Sequence, residues 1–149
     1  MALQVLSIDT KRGAEILDEI YGMNELKACP LVNTFKIIGK RWTIQILREM
    51  FRGGKQFNRF HENIKGITPK MLSLRLKELE NNKIIKRSIV SESPIRVEYE
   101  LTDLGRELGP LLLQAAAFSM REFPRSIFKD GKPRDPIKIL AKSQAVAIR

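Results

Sequence analysis

The sequence predicts an α+β fold, mainly α, in which several short helices precede one β-hairpin and a further helix follows it. Apolar residues recur at helical spacing from residue 10 to residue 80. Residues 84–90 are rich in β-branched side chains, and residues 96–101 alternate between apolar and polar, as two strands would. Helical spacing returns after Thr102. The 149 residues, 43% of them hydrophobic, suffice for one domain with extensions.

The charge of the chain points to an anionic partner. The 27 Lys and Arg residues exceed the 17 Asp and Glu residues, giving a formal net charge of +10. Residues 1–28 contain more acid than base, so the positive excess lies in the remainder of the chain. Nucleic acid is the first partner that such a charge predicts, and a membrane surface is the second.

The sequence argues against several kinds of site and against a membrane location. No apolar run reaches transmembrane length and no signal peptide is present, so we expect no membrane partner and a cytoplasmic setting. One cysteine excludes an internal disulfide, and one cysteine with one histidine argues against structural zinc. We expect no metal and no other cofactor. His61 has no partner constellation that its spacing would justify, so the chain is predicted not to be an enzyme.

Helices are predicted before residue 68 from apolar spacing and glycine breaks. Residues 10–26 form an amphipathic helix that packs on the domain or on a second subunit, or is solvated on one face. Three further helices begin near residues 30, 40 and 57 and end at Gly39, Gly53 and Gly66. The side chains that we expect to face inward are Leu31, Phe35, Ile38, Trp42, Ile46, Leu47, Phe57, Phe60 and Ile64.

Residues 68–80 form a short helix with two different faces. Thr68 is a favourable N-cap, and Pro69 suits the first helical position. The opposite face is short and basic, as in a helix that lies in a DNA major groove, although a solvated amphipathic helix has the same pattern. The apolar seam contains Leu72, Leu76 and Leu79, and the other face presents Lys70, Ser73, Leu74 and Lys77. Arg75 lies nearer the seam, so its head is expected to reach a phosphate or an acidic neighbour.

A hairpin directly follows this helix. Strands are predicted at residues 84–90 and 96–101, with a turn at residues 91–94. A helix after a tight turn, followed by a hairpin, is the order of a winged helix-turn-helix, with residues 68–80 as the recognition helix. Arg96, near the tip of the wing, would enter a minor groove or hold a phosphate, or would be a surface arginine balanced by Glu92 or Glu98.

The segment after the hairpin predicts a dimer. Thr102 and Asp103 open a helix, and Pro110 should kink or restart it. Residues 110–118 are too apolar for a solvated helix, and a second copy of the chain is the economical partner. Two recognition helices would then read half-sites about 34 Å apart on double-stranded DNA. Residues 124–149 carry seven Lys or Arg residues and look like a loosely ordered basic tail with a helix near 136–147, either touching phosphates or merely solvated.

The run from Cys29 to about Leu113 resembles the HxlR-type winged-helix transcriptional regulators of bacteria and archaea. The matching text includes residues 29–30, 38–43, 47–49, 57–58, 66–73, 75–80, 94, 96–99, 101–102 and 105. The resemblance implies a homodimer that binds an inverted-repeat operator as a repressor or activator and dimerises through its outer helices. It implies DNA contacts from Thr68, Lys70, Ser73, Leu74, Arg75, Lys77 and Arg96. Leu74 departs from the glutamine frequent in this family, so an operator preference cannot be transferred, since leucine can only pack on a thymine methyl.

The resemblance also raises an alternative function for the same scaffold. Some relatives sense oxidants or quinones through a cysteine at the position of Cys29, the only thiol in the chain. The competing interpretation is that Cys29 is a small buried apolar residue. The predicted organisation is an N-terminal helical extension at residues 1–28, a winged-helix domain with its dimerisation helix at 29–122, and a basic tail at 123–149. The sequence does not identify a small-molecule effector.

Overall fold

A computed structural model of the chain describes residues 10–23 and 26–136, and the described residues divide between two compact units. The first unit comprises Met1–Ile44 and the second Gln45–Arg149. Mainly helical structure with one two-stranded antiparallel sheet confirms the predicted fold class. Within the described ranges, no helix is both long enough and apolar enough to cross a membrane.

The first unit contains helices α1 (Thr10–Tyr21) and α2 (Pro30–Ile38). The predicted helix over residues 10–26 ends early, because the Gly22 amide makes the last helical bond, 2.9 Å from the Asp18 carbonyl oxygen. In α2, Ile38 is buried as expected, but Leu31 and Phe35 are 48% and 54% exposed. The prediction that these two side chains face inward is therefore wrong for the single chain.

Helix α3 (Thr43–Phe51) begins at the last residue of the stretch, residues 40–43, that was predicted to open it. Trp42 precedes the helix with a φ of 78°, a backbone conformation that bulky residues seldom adopt. Its ring is only partly buried, and the Arg41 guanidinium lies 4.5 Å from the ring centroid. The expectation that Trp42 belongs to the apolar side of a helix is wrong, since a stacked arginine covers the indole.

Helices α4 (Phe57–Asn63) and α5 (Pro69–Asn81) form the helix-turn-helix pair of the second unit. The turn between them contains Gly66 at a φ of 88°, which a glycine adopts without steric cost. Buried aliphatic and aromatic side chains from α3, α4, α5 and both strands form much of the core, with Ile46, Leu47, Phe60, Ile64, Ile67, Leu72, Leu76, Leu79, Ile84, Ile85 and Leu101 among them.

Strands β1 (Ile85–Glu92) and β2 (Ile95–Leu101) form the hairpin, called the wing below. Their register pairs Ile85 with Leu101 and Glu92 with Ile95, and a bulge interrupts it between Ile89 and Ser91. Both strands are longer than predicted, so that the turn is confined to residues 93 and 94. Helix α5 packs against β1, and α4 packs against β2, which fixes the wing beside the helix-turn-helix.

Between the wing and residue 136, the structure has the helices α6 (Asp103–Arg106), α7 (Leu108–Glu122) and α8 (Pro124–Ile127). The helix ends after α6 and begins again as α7, as predicted. Pro110 explains the position of this break, because a proline cannot donate a helical hydrogen bond to the carbonyl four residues earlier, that of Arg106. The Thr102 hydroxyl caps α6 by accepting from the Gly105 amide at 3.0 Å. Gly105 is required at this contact, since a Cβ there would lie 2.1 Å from the Ile84 carbonyl oxygen.

The beginning of the predicted basic tail is ordered rather than loose. After α8, the Arg134 amide bonds to the Met120 carbonyl at 3.2 Å, and its guanidinium lies 4.1 Å from the Phe128 ring centroid. Asp130 accepts from the same guanidinium at 2.8 Å. These contacts hold residues 124–136 against α7. The helix expected near residues 136–147 lies outside the described residues from residue 137 onward.

Candidate nucleic-acid interface

Helix α5 separates its buried and outward side chains as the sequence predicted. Thr68 caps the helix, and its hydroxyl accepts from the Met71 amide at 3.2 Å. The three leucines of the seam are at most 2% exposed, and burial of each stabilises the helix by about 1.5–3 kcal/mol. The opposite side chains are exposed and together form what we call the outward face of α5, which consists of Lys70, Ser73, Leu74 and Lys77.

The cations on α5 differ in whether they have a partner. Among residues 10–23 and 26–136, neither Lys70 nor Lys77 makes a salt bridge or a side-chain hydrogen bond. Arg75, in contrast, donates to Glu78 at 2.6 Å and its side chain is only 14% exposed. Arg75 therefore takes the acidic neighbour, one of its two predicted roles. Its DNA contact stays a prediction, as do those of Thr68 and the outward face.

The tip of the wing combines a cation with exposed apolar side chains. Arg96 lies opposite Ser91 in the strand register and is exposed. Neither Glu92 nor Glu98 forms a salt bridge with it in the described part of the chain, so the alternative of a balanced surface arginine gains no support. Ile95, which the sequence analysis did not select, is 74% exposed. The tip thus presents a positive charge and an aliphatic side chain together.

The base of the wing carries a charge cluster that the sequence analysis missed, called the wing root below and made of Lys55, Lys86 and Glu100. The Glu100 carboxylate accepts from Lys55 at 2.7 Å and lies 3.2 Å from the Lys86 ammonium. The Lys55 carbonyl accepts from the Tyr99 amide at 2.7 Å. The turn before α4 is thereby held to β2, and Lys86 on β1 reaches the same carboxylate. The contacts of Lys55 leave no signal in the sequence, because Lys55 and Glu100 are 45 positions apart on different elements.

The pKa values in this cluster follow from its contacts. Hydrogen bonds from Lys55 and Lys86 lower the pKa of Glu100, and the two positive charges lower it further. The hydrogen bond to Glu100 raises the pKa of Lys55. Both groups are therefore charged across the neutral range. Lys55 and Lys86 add to the net charge of the chain, but both are already paired with one carboxylate.

A second cluster joins α3 to α4 around Glu49, whose side chain is only 4% exposed. Its carboxylate accepts from Asn63 at 3.0 Å and from Arg48 and Arg52 at 3.1–3.2 Å. Burial alone would raise the pKa of Glu49, but the bonds from Asn63 and Arg48 and the nearby positive charges hold it below its usual value. Glu49 on α3 thus holds α4, the first helix of the helix-turn-helix pair, through its bond from Asn63.

Cys29 lies in the first unit, immediately before α2. Its sulfur is 3.3 Å from the Tyr21 hydroxyl, and the residue is half-buried rather than enclosed. The hydrogen bond from Tyr21 lowers the pKa of the thiol, and the Val32 and Leu31 amides lower it further against the opposing effect of burial. The interpretation of Cys29 as a buried apolar residue does not fit this environment.

Known proteins share both the sequence and the fold. The family model described as HxlR-like helix-turn-helix matches residues 37–126. YdeP of Bacillus subtilis strain 168, described as an uncharacterised HTH-type transcriptional regulator, is 39% identical over 93 residues, which cover 62% of this chain and 73% of that protein. YybR of the same organism, described in the same terms, is 36% identical over 114 residues, 75% of this chain and 91% of YybR.

Two solved structures of regulators share the fold of this chain. The oxidised form of the redox regulator HypR matches with a TM-score of 0.57 and 38% identity, covering 61% of this chain and 94% of HypR. The reduced form of the transcriptional regulator YodB from B. subtilis matches with the same TM-score and identity, covering 62% of this chain and 91% of YodB.

Proposed function

Because the chain belongs to the HxlR-like helix-turn-helix family, we propose that it reads its operator with the outward face of α5 and holds the duplex with the wing. As a helix-turn-helix transcriptional regulator, the chain binds DNA. The observation that supports the detailed proposal is the exposed, basic outward face of α5, whose Lys70 and Lys77 have no ionic partner in the described part of the chain. The function is regulatory and cytoplasmic, with no enzymatic step.

The wing contributes a second contact in this proposal. Arg96 is exposed beside the tip and is free to hold a phosphate or to enter a narrow minor groove. Side chains at the tip of a hairpin reach the backbone or minor groove while a helix occupies the major groove. Major-groove contacts specify sequence, whereas phosphate contacts fix position and supply affinity.

A homodimer on an inverted-repeat operator completes the proposal. Phe118 and Phe123 are 51% and 54% exposed and stack edge to face at 5.7 Å, and Ile127 beside them is 50% exposed. Such an apolar patch favours burial against a second copy, because one self-complementary surface serves both subunits. Two copies would place two α5 helices about 34 Å apart, one helical turn of DNA.

A salt titration on the operator tests DNA recognition. A footprint of the upstream region of the gene would locate the operator, and binding would then be measured as salt increases. If each subunit neutralises several phosphates, the slope of log affinity against log salt should be steeper than about −4 for a dimer. A flat titration would contradict the proposed interface.

Sedimentation tests the dimer. Phe118→Lys places a charge in the apolar patch and should weaken association, whereas Lys129→Glu, on an exposed residue outside it, should not. A wild-type protein that sediments as a monomer at micromolar concentration would contradict the proposal.

A second function, sensing of oxidants or electrophiles through Cys29, is favoured by one contact. The Tyr21 hydroxyl stabilises the Cys29 thiolate, and the thiolate is the form that attacks electrophiles. HypR is described as a redox regulator, and YodB was crystallised after diamide treatment. We propose that oxidation or alkylation of Cys29 changes operator binding by the same scaffold.

The alkylation rate of Cys29 as a function of pH tests this second function. Tyr21→Phe removes the hydrogen bond, so the thiol pKa should rise and alkylation near neutral pH should slow. Diamide should reduce operator binding by the wild type but not by Cys29→Ser. Equal alkylation profiles for wild type and Tyr21→Phe, with diamide-resistant binding, would restore a purely structural role.

A further inference from the structure

An open cleft of about 420 Å³ lies beside the wing root in the second unit. Its walls come from the end of α3, the turn after it, β2 and α6, and they include Met50, Phe51, Lys55, Tyr99, Leu101 and Arg106. This volume is within the range that small organic ligands occupy. The helix-turn-helix surface does not use this cleft, because its lining excludes α5.

The inner part of the cleft is apolar. Met50 and Leu101 are 6% and 8% exposed and form the floor, while Phe51, 42% exposed, offers an aromatic ring at the opening. Tyr99 adds a second ring, partly buried. An aromatic or branched apolar group of modest size fits such a surface, since each ring carbon removed from water contributes to binding.

The polar end of the cleft is already a carboxylate site. The Lys55 ammonium holds the Glu100 carboxylate at 2.7 Å, and the bond between the Tyr99 amide and the Lys55 carbonyl fixes the backbone beneath it. Arg106 supplies a second cation to the lining. A carboxylate brought by a ligand would meet the same ammonium, next to the apolar floor, in competition with Glu100.

If a ligand carboxylate replaced Glu100 on Lys55, neither carboxylate would be left without a cation. Glu100 lies 3.2 Å from Lys86, so it keeps a cation if Lys55 turns to another anion. Arg106 is paired with Asp103 at 2.6 Å, and Glu98 as well as Glu100 acts on Lys55, so a ligand carboxylate would have to replace Glu100 rather than add to it.

We propose that this cleft binds small aromatic monocarboxylates, with the ring on Met50 and Leu101 and the carboxylate replacing Glu100 on Lys55. Binding would remove the side-chain bond between the turn before α4 and strand β2 and leave the backbone bond from Tyr99 to Lys55. It would therefore loosen the wing root, and this consequence for DNA rests on the proposed function above. The binding itself does not, because it is measured on the protein alone.

The site is tested by titrating the full-length protein with phenylacetate and with its uncharged analogue phenylacetamide while the backbone amide NMR shifts are followed. Phenylacetate should shift the amides of residues 50–55 and 99–106 and bind more tightly than the amide. Glu100→Gln removes the internal competitor, so phenylacetate should bind about two- to fivefold more tightly. Lys55→Gln should weaken the binding of phenylacetate and abolish the preference for phenylacetate over phenylacetamide. Glu92→Gln, on the wing but away from the cleft lining, should change neither.

Equal binding of the acid and the amide, or no tightening in a folded Glu100→Gln variant, would overturn the proposal. The two variants move phenylacetate affinity in opposite directions, so a general loss of structure cannot imitate the result. In a separate arm, saturating phenylacetate should lower the DNA affinity of the wild type but not of Lys55→Gln. Ligand binding without any change in DNA affinity would overturn the link to the wing.

Discussion

The outward face of α5 and the wing root are both rich in lysine, yet the two regions use their charges differently. Lys70 and Lys77 on α5 have no ionic partner in the described part of the chain. Lys55 and Lys86 at the wing root share one carboxylate, that of Glu100. A count of basic residues treats the two regions as equal, although among the described residues only the first leaves its lysines without an ionic partner.

The difference separates charges that are available to DNA from charges that hold the structure. An unpaired exposed lysine keeps its full attraction for a phosphate and releases counterions on binding. A lysine that already holds a carboxylate gains less from a phosphate, because it must give up its partner. Glu49, which holds two arginines and Asn63, is the buried extreme of the second group.

The largest effect on stability should come from Glu49. Glu49→Ala removes the acceptor that joins α3 to α4 and should cost about 2–3 kcal/mol of unfolding free energy. Lys77→Ala, on the outward face of α5, should change stability by less than about 0.5 kcal/mol. Urea unfolding of both variants measures the contrast, and equal stabilities would remove the distinction between paired and unpaired charges.

The same carboxylate predicts a dependence of stability on pH. Because the folded-state pKa of Glu49 lies below its usual value of 4.5, its stabilising contribution is present above that pH. The contribution is lost as the pH falls through the lowered folded-state pKa. Stability measured from pH 6 downward should therefore fall less steeply in Glu49→Gln than in the wild type, and parallel curves would contradict the assigned contacts.

The order and type of the elements followed from the sequence because local patterns determine them. The cap at Thr68, the seam of leucines and the alternation in β2 each involve residues close in the chain. Glu100 was missed because Lys55 is 45 positions away in the sequence. Glu49 was missed although Arg48 and Arg52 are its neighbours, because a local charge pattern does not show that the carboxylate is buried or that Asn63 reaches it from α4. Phe35 was misassigned for a related reason, since apolar spacing marks a face without saying whether the same chain covers it.

Substitutions on α5 and at the wing tip should have intermediate effects and should differ in kind. Ser73→Ala or Leu74→Ala should change which operator sequences are preferred, with a cost of about 1–3 kcal/mol for a lost base contact. Arg96→Ala should instead lower affinity for many sequences together and reduce the salt slope, unless the wing lies in a narrow A·T-rich minor groove.

A binding selection on randomised operators distinguishes these outcomes. If Ser73→Ala and Leu74→Ala keep the wild-type sequence preference while Arg96→Ala alters major-groove positions, residues 68–80 are not the recognition helix.

The smallest predicted effect is a change in operator affinity at the wing root. It is the most diagnostic one, because its direction is opposite to the direction that the change in net charge alone would give. Removing a negative charge from a DNA-binding protein should strengthen binding. Glu92→Gln, on an exposed wing residue without a partner in the described part of the chain, should follow that rule. Glu100→Gln removes the same charge but also the two ion pairs that join Lys55 in the turn before α4 and Lys86 in β1 to strand β2, so it should weaken operator binding by about two- to fivefold. Fluorescence anisotropy at fixed salt measures both variants. If Glu100→Gln binds as tightly as Glu92→Gln, the wing root does not position the wing, and its lysines belong with those of α5 as charges available to DNA.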